Sequence, residues 1–195
     1  MPRSSIAVEE ALADALSDEA RKHNKTLYAF ANESLEAVIS VSRLSGNPSE
    51  LVSAWKMSRM LKEVDAVPLP GDLVEKLIKK LYESEKDWLL KTWLNEGDRI
   101  GKYLQMGYQE LTQLSQAAAE FQGLLPLKRI EIRSINSGDS KGRNLLRAIG
   151  AGQSIESTAC AEQFIRGIVA SYSWSVKGSK VSEGIIELEI AKDRQ

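Results

Sequence analysis

The sequence predicts an α+β chain: a short strand and two helices at the start, a helical middle, and a small α/β part at the C-terminal end. Three patterns carry this expectation. Apolar residues recur at helical spacing from residue 9 to about residue 122. After Pro126 the pattern turns to alternation, as in Lys128-Arg129-Ile130-Glu131-Ile132-Arg133. The N-terminus holds a brief alternation of its own, Ile6-Ala7-Val8.

In chain order, Ile6-Ala7-Val8, preceded by Arg3-Ser4-Ser5, reads as a strand. Val8, Leu12, Leu16 and Ala20 then recur every four residues, the stripe of an amphipathic helix over 9–23. His23-Asn24-Lys25 is a polar break. Thr26 is placed to cap a second helix over 27–43, with Leu27, Phe30, Ala31, Leu35, Val38 and Ile39 as its apolar face. Ser45-Gly46-Asn47-Pro48 punctuates. Helices over about 49–64 and 72–91 follow, separated by Val67-Pro68-Leu69-Pro70-Gly71. A long helix is expected over about 98–122. There Ile100, Leu104, Gly107, Leu111, Leu114, Ala118 and Phe121 alternate steps of four and three, the seam of helices packed lengthwise. Gly107 and Ala118 are small knobs, which suits close packing inside a domain better than a free coiled coil.

Past the break at Gly123 to Pro126, residues 128–133 read as a strand, and Arg143 to Gly152 stays open between strand and helix. Residues 157–175 make a helix with Cys160, Phe164, Ile168 and Tyr172 on one face. Ile186, Leu188 and Ile190 alternate with Glu187 and Glu189, a half-buried strand. The expected organisation is a first unit over 1–45 and a second over 46–195, with helices in 49–122 and the α/β part in 127–191.

Composition limits the chemistry. The chain has 195 residues, 43% hydrophobic, with 26 basic and 27 acidic side chains, which suits a globular protein of one large or two small domains. A single Cys excludes an internal disulfide, and a single His excludes a multi-histidine metal site. No apolar run approaches the roughly 20 residues that span a bilayer. Acidic residues follow Met1-Pro2-Arg3-Ser4-Ser5 where a secretory signal needs an apolar stretch, so a cytoplasmic protein is expected. Formal charge is −2 over 1–45, −2 over 46–123 and +3 over 124–195, so no segment is a basic or acidic tail.

One strand and two short helices in about 40 residues cannot bury their apolar faces alone. The strand also leaves an unpaired edge. Two chains pairing strand to strand with interlocked helices remove both problems, so an obligate dimer is expected at this end, or a higher oligomer built from dimers. Ile6 to Leu12 through Leu16 and Ala20, followed by Lys25-Thr26-Leu27-Tyr28-Ala29-Phe30-Ala31-Asn32-Glu33-Ser34-Leu35, resembles the ribbon-helix-helix family of DNA-binding repressors, ungapped over residues 3–40. The resemblance implies an intertwined dimer whose two-stranded ribbon enters the DNA major groove. It implies that Arg3, Ser5 and Ala7, facing away from Ile6 and Val8, read bases. It also implies that Lys25, Thr26 and Leu27, at the start of the second helix, hold a phosphate.

Thr158-Ala159-Cys160-Ala161-Glu162-Gln163-Phe164-Ile165-Arg166-Gly167, with Gly178 to Glu183 and the strand to Ile190, resembles the 4-vinyl reductase domain, an α/β module. That resemblance implies a pocket for a small apolar molecule, with Cys160, Phe164 and Ile168 as ligand-binding candidates. The pair of later cysteines usual in that family is absent after Glu183.

Each candidate also has a plainer reading. Cys160 is a small hydrophobe on an apolar face. Trp55, Trp88, Trp93 and Trp174 are core or interface anchors, and His23 is solvated. Residues 137–142 lack the phosphate-loop spacing and form a hairpin or surface loop. Glu187 and Glu189 are the outward face of one strand. No catalytic residue, metal ligand or cofactor is expected. The expected function is a dimeric DNA-binding transcriptional regulator with a C-terminal ligand-sensing or oligomerisation domain. The alternative is a scaffold protein that uses its N-terminal unit only to dimerise, favoured by Ala7 in mid-ribbon and by the acidic surroundings. An enzyme is the least favoured reading, since the only His lies in the N-terminal unit.

Overall fold

The computed structural model describes residues 5–44, 46–48, 50–120, 127–135 and 142–193. The chain divides into two compact units, one ending at Ala54 and the other beginning at Trp55. It is α+β: helices come first, and a four-stranded antiparallel sheet closes the C-terminal end. Among the described residues, no helix is long and apolar enough to cross a membrane.

In the N-terminal unit, α1 (Glu10–Lys22) and α2 (Leu27–Arg43) stand where the apolar stripes place them. The turn between them uses Asn24 at φ 55°, and the Lys25 amide donates back to the Ala20 carbonyl at 2.9 Å. Thr26 caps α2, its Oγ1 accepting from the Ala29 amide at 3.2 Å. The strand expected at Ile6-Ala7-Val8 is not present: residues 5–9 have no regular structure and the unit starts with a helix. The physical reason is the lack of a ladder. A three-residue strand has backbone bonds only if another strand pairs with it, and a ribbon strand takes that partner from a second chain.

α3 (Glu50–Glu63) begins before the boundary at Trp55 and runs into the second unit, which continues with α4 (Gly71–Ser84) and α5 (Lys86–Gln105). The single helix expected over 72–91 is therefore two, broken at Glu85 (φ −139°, ψ 42°). Ile78 and Leu89 share one buried cluster with Cys160. In one straight helix they would lie about 16 Å apart along the axis, so the break is what lets both reach it.

The helix expected over 98–122 is also interrupted. α5 ends at Gln105, and a 3₁₀ turn (Leu111–Gln113) and α6 (Leu114–Glu120) follow. Ile100, Leu104, Leu111, Leu114 and Ala118 are all buried in one core, whereas Gly107, expected as a small knob of the same seam, is exposed with nothing within 4 Å of its Cβ position, and Phe121 lies outside the described residues.

The sheet comprises β1 (Arg129–Ile135), β2 (Arg143–Ala151), β3 (Trp174–Ser182) and β4 (Gly184–Lys192), in the order β1-β2-β4-β3. Arg143 to Ala151 is thus a strand. Ile135 pairs with Arg143, so the intervening segment connects a hairpin; its residues 136–141 lie outside the described set. α7 (Ile155–Ser171) crosses from β2 to β3 and ends four residues earlier than its pattern suggested, because Ser173 turns at φ 60° and Trp174 already belongs to β3. β3 itself escaped the pattern. It is a sheet edge carrying Ser175, Lys177, Gly178, Ser179, Lys180 and Ser182, and an edge strand needs no apolar alternation.

Ile186, Leu188 and Ile190 of β4, with Leu146 and Ala148 of β2, are fully buried beneath α7, which contributes Ala161, Ile165, Ile168 and Val169. On the opposite face Glu187 pairs with Arg147 at 3.3 Å and Glu189 with Arg143 at 3.8 Å. α7 is anchored at both ends. Ser154 and Ser157 form a capping box, and the Thr158 hydroxyl accepts from the Gly184 amide at 2.9 Å. The Tyr172 hydroxyl donates to the Tyr108 carbonyl at 2.7 Å, and burial pushes that phenol up to about 12. α5 lies against α7 through glycine. A Cβ on Gly97 would stand 2.0 Å from the Phe164 carbonyl oxygen, and one on Gly167 2.1 Å from that of Leu94.

Candidate functional site

The N-terminal candidates lie on an open surface. Ser5 and Ala7 are exposed, and so are Ile6 (71%) and Val8 (57%), so neither face of this segment is covered within the chain. Arg3 lies outside the described residues. Lys25, Thr26 and Leu27 form the start of α2 as the pattern places them. Thr26 is engaged in capping, and the Lys25 ammonium pairs with the Glu33 carboxylate. His23 is exposed yet not simply solvated, since its ring stacks on Phe30 at 5.5 Å. No residue of α2 is buried, and Leu27, Leu35 and Ile39 stay 45–47% exposed along its apolar face.

In the second unit a cavity of about 850 Å³ opens among α3, the segment from Ala66 to Leu69, α4, α5, the start of α7 and the end of β2. Its apolar wall includes Met60, Val64, Val74, Ile78, Ile100 and Leu127. Trp93 and Phe164 contribute two rings in an edge-to-face pair, 6.0 Å between centroids. Arg99 and Glu96 stand in this wall but satisfy each other, with Nη2 to Oε2 at 2.6 Å, and Arg99 Nη1 donates to the Val64 carbonyl at 2.6 Å. Glu75 is different. Its side chain is only 14% exposed, and its Oε1 is buried without a hydrogen-bond partner.

The three ligand-binding candidates separate. Phe164 lines the cavity, whereas Ile168 belongs to the core between α5 and the sheet. Cys160 is fully buried with Ile78 and Leu89 behind the wall. Burial, and secondarily the nearby Glu75 charge, push its thiol up to about 12. At pH 8 only about one such thiol in 10⁴ is ionised, and the thiolate is the reactive form. Cys160 is therefore expected to resist a thiol reagent such as 5,5′-dithiobis(2-nitrobenzoate) for hours at pH 8 and to react within minutes in guanidinium. Prompt reaction of the native chain would refute this.

Of the four tryptophans, Trp93 and Trp174 pack against the core. Trp88 (57%) and Trp55 (61%) are exposed, the latter beneath the Arg59 guanidinium at 5.6 Å. Among the described residues, no three His, Cys, Asp or Glu side chains gather as a metal site would need. Glu75 and the Ala66 to Leu69 segment were absent from the expected site. Two signals pointed to them: an apolar connection where solvated loops are polar, and a carboxylate three residues before Ile78, beside the apolar stripe of α4. Compared with protein-family models and with curated proteins, the chain finds no match.

Proposed function

We propose that this chain is a dimeric, cytoplasmic DNA-binding regulator of ribbon-helix-helix type whose second unit senses a small ligand. The observation that carries the reading is the uncovered α1–α2 hairpin. It has two amphipathic helices, one buried residue between them (Ala20), and an extended segment with Ile6 and Val8 exposed in front. A fold that leaves this much apolar surface open is completed by a second copy, and pairing of residues 3–8 then gives the ribbon its ladder. The cavity supports the sensing half, since about 850 Å³ of mainly apolar space is ample for a small organic molecule. The second unit's resemblance to the 4-vinyl reductase domain points the same way. Ligand binding regulates only if the two states of the dimer differ in ligand affinity.

Electrophoretic mobility shift with genomic fragments tests the DNA half. A shift at low salt is expected, and Arg3→Ala with Lys25→Ala should weaken it about tenfold, relax base preference through Arg3 and flatten its salt dependence by about one phosphate contact through Lys25. A folded dimer that shifts no fragment at low salt would refute the reading. A second reading rests on the Lys25–Glu33 pair, which occupies the cation nearest the α2 N-terminus. On that view the unit only dimerises, and the double substitution leaves function intact.

A further inference from the structure

Trp55 is an exposed indole that the chain nonetheless holds in one place. It lies beneath the Arg59 guanidinium, 5.6 Å from the ring centre. Arg59 is fixed in turn by the Glu63 carboxylate, Nε to Oε1 at 2.6 Å, and Glu63 also accepts from the Tyr103 hydroxyl of α5. Three side chains thus position a ring that stays 61% exposed. An aromatic fixed in advance loses little freedom when something covers it, which is the property of an interface anchor. Beside it, Met106 is 72% exposed just past the end of α5, and Gly107 leaves open space where a side chain would stand. Trp55, Arg59, Tyr103, Met106 and Gly107 line one hollow of about 400 Å³. Tryptophan, tyrosine, arginine and methionine are the residues that interfaces concentrate, and Arg59, answered by Glu63, does not present its charge to a polyanion.

Chain length and area identify the occupant. Six residues, 44–49, join α2 to α3, a span of at most about 25 Å, and Trp55 stands in the second turn of α3. Two copies joined through their N-terminal hairpins therefore hold both patches at an effective concentration in the millimolar range. Trp55 and Met106 offer roughly 300 Å² per copy, against about 800 Å² per partner for a free-standing interface. The patch is too small to gather a partner from solution and sufficient for one already tethered. It is also self-complementary. Under a two-fold axis, Trp55 of each copy meets Met106 of the other, a sulfur–aromatic pair made twice, with the indole seated over Gly107.

We infer that the second units of two copies dock on each other through this patch, Trp55 of one against Met106 and Gly107 of the other. This rests on the reading of the chain as a dimer joined at the α1–α2 hairpin, and it adds a second, dependent contact between the copies.

Hydroxyl-radical footprinting of the full chain at micromolar concentration, read by mass spectrometry, tests this with light scattering on the same sample. Indole and thioether side chains are both readily oxidised, and Trp88, 57% exposed on α5 and outside the hollow, is the internal reference. In the dimer, Trp55 is expected to label about fivefold more slowly than Trp88, because an interface anchor is shielded from water. In the Leu35→Asp, Ile39→Asp variant as a monomer, the two should label alike. A wild-type dimer whose Trp55 labels as fast as Trp88 would overturn the docking and leave the hairpin dimer standing. A wild-type monomer would overturn both. Should the variant stay dimeric, the comparison of Trp55 with Trp88 in the wild type decides alone. Trp55→Ala, on an exposed position, should leave the dimer mass unchanged and speed Met106 labelling about threefold or more. Met106 that stays shielded in that dimeric variant would overturn the reciprocal pairing.

Discussion

Gly97→Ala is expected to destabilise the second unit by at least about 3 kcal/mol and to lower its melting temperature by about 10 °C. Alanine is worth about 1 kcal/mol over glycine in a helix interior, so propensity alone predicts the opposite sign. Sterics decide. The added Cβ would stand 2.0 Å from the Phe164 carbonyl oxygen and 2.8 Å from its carbon, against backbone that no rotamer change can move aside. Gly167 makes the reciprocal approach, 2.1 Å to the Leu94 oxygen and 2.6 Å to the Asp98 nitrogen, so Gly167→Ala should cost a similar amount. The only relief is for α5 and α7 to separate, which opens voids along the buried face beneath them. Gly107→Ala is the control, because nothing lies within 4 Å of its Cβ position, and its melting temperature should stay within about 2 °C of wild type. Thermal unfolding followed by circular dichroism checks all three. If Gly97→Ala melts with the control, the crossing is not the close contact described.

The consequence reaches the cavity. Phe164 lines it, and the Phe164 backbone is the part of α7 that Gly97 touches, so a helix displaced there moves a cavity wall. A milder loss of packing at this crossing should therefore weaken ligand binding before it unfolds the chain. α5 was accordingly legible only in pieces, its two ends falling in the helices expected over 72–91 and 98–122 with 92–97 left unassigned, and its packing on α7 was not legible at all. Spacing reveals an apolar stripe, whereas a glycine at the contact contributes no hydrophobic signal and marks the contact only by being small. The same limit explains Glu85 and Met106. Helix periodicity continues across both breaks because the segments on either side face related cores, so the pattern reads through interruptions of the backbone.

The candidate residues of the two units were legible to different degrees. Thr26 as a cap and the apolar faces of α1 and α2 follow from local rules, namely a hydroxyl before an apolar helix and four-residue spacing. The strand expected at Ile6 to Val8 rested on a three-residue alternation alone, and the structure has no strand there, since so short a segment forms one only when another strand pairs with it. In the second unit, Phe164 was legible from its helical face, but Glu75 and the Ala66 to Leu69 segment come from elsewhere in the sequence. Only the fold brings α4 and the preceding connection beside α7. Long-range placement of this kind leaves no trace in spacing.

Placing aspartate at both Leu35 and Ile39 is expected to convert the protein from two chains to one and to abolish DNA retardation while the second unit melts as in wild type. The two residues are four apart on α2, so they share a face, and they stay 45% and 47% exposed in the single chain. That exposure is apolar area which only another surface can remove from water. Full burial of a leucine or isoleucine contributes about 1.5–3 kcal/mol, and about half of each side chain is already covered, so a two-fold dimer, which buries each residue twice, gains about 3–6 kcal/mol from the four side chains. Losing that amount weakens association about 10²- to 10⁴-fold, before the repulsion of four carboxylates gathered at one symmetric interface is counted. DNA binding falls with it, because a ribbon needs a strand from each chain. Light scattering behind size exclusion at micromolar concentration reads the association state, and mobility shift reads the ribbon. If the variant remains a dimer, the copies are held together elsewhere and the N-terminal hairpin is not the interface. If it dissociates and still retards DNA, the nucleic-acid contact does not come from a paired ribbon, and the intertwined reading of residues 3–40 fails even though α1 and α2 are where that reading placed them.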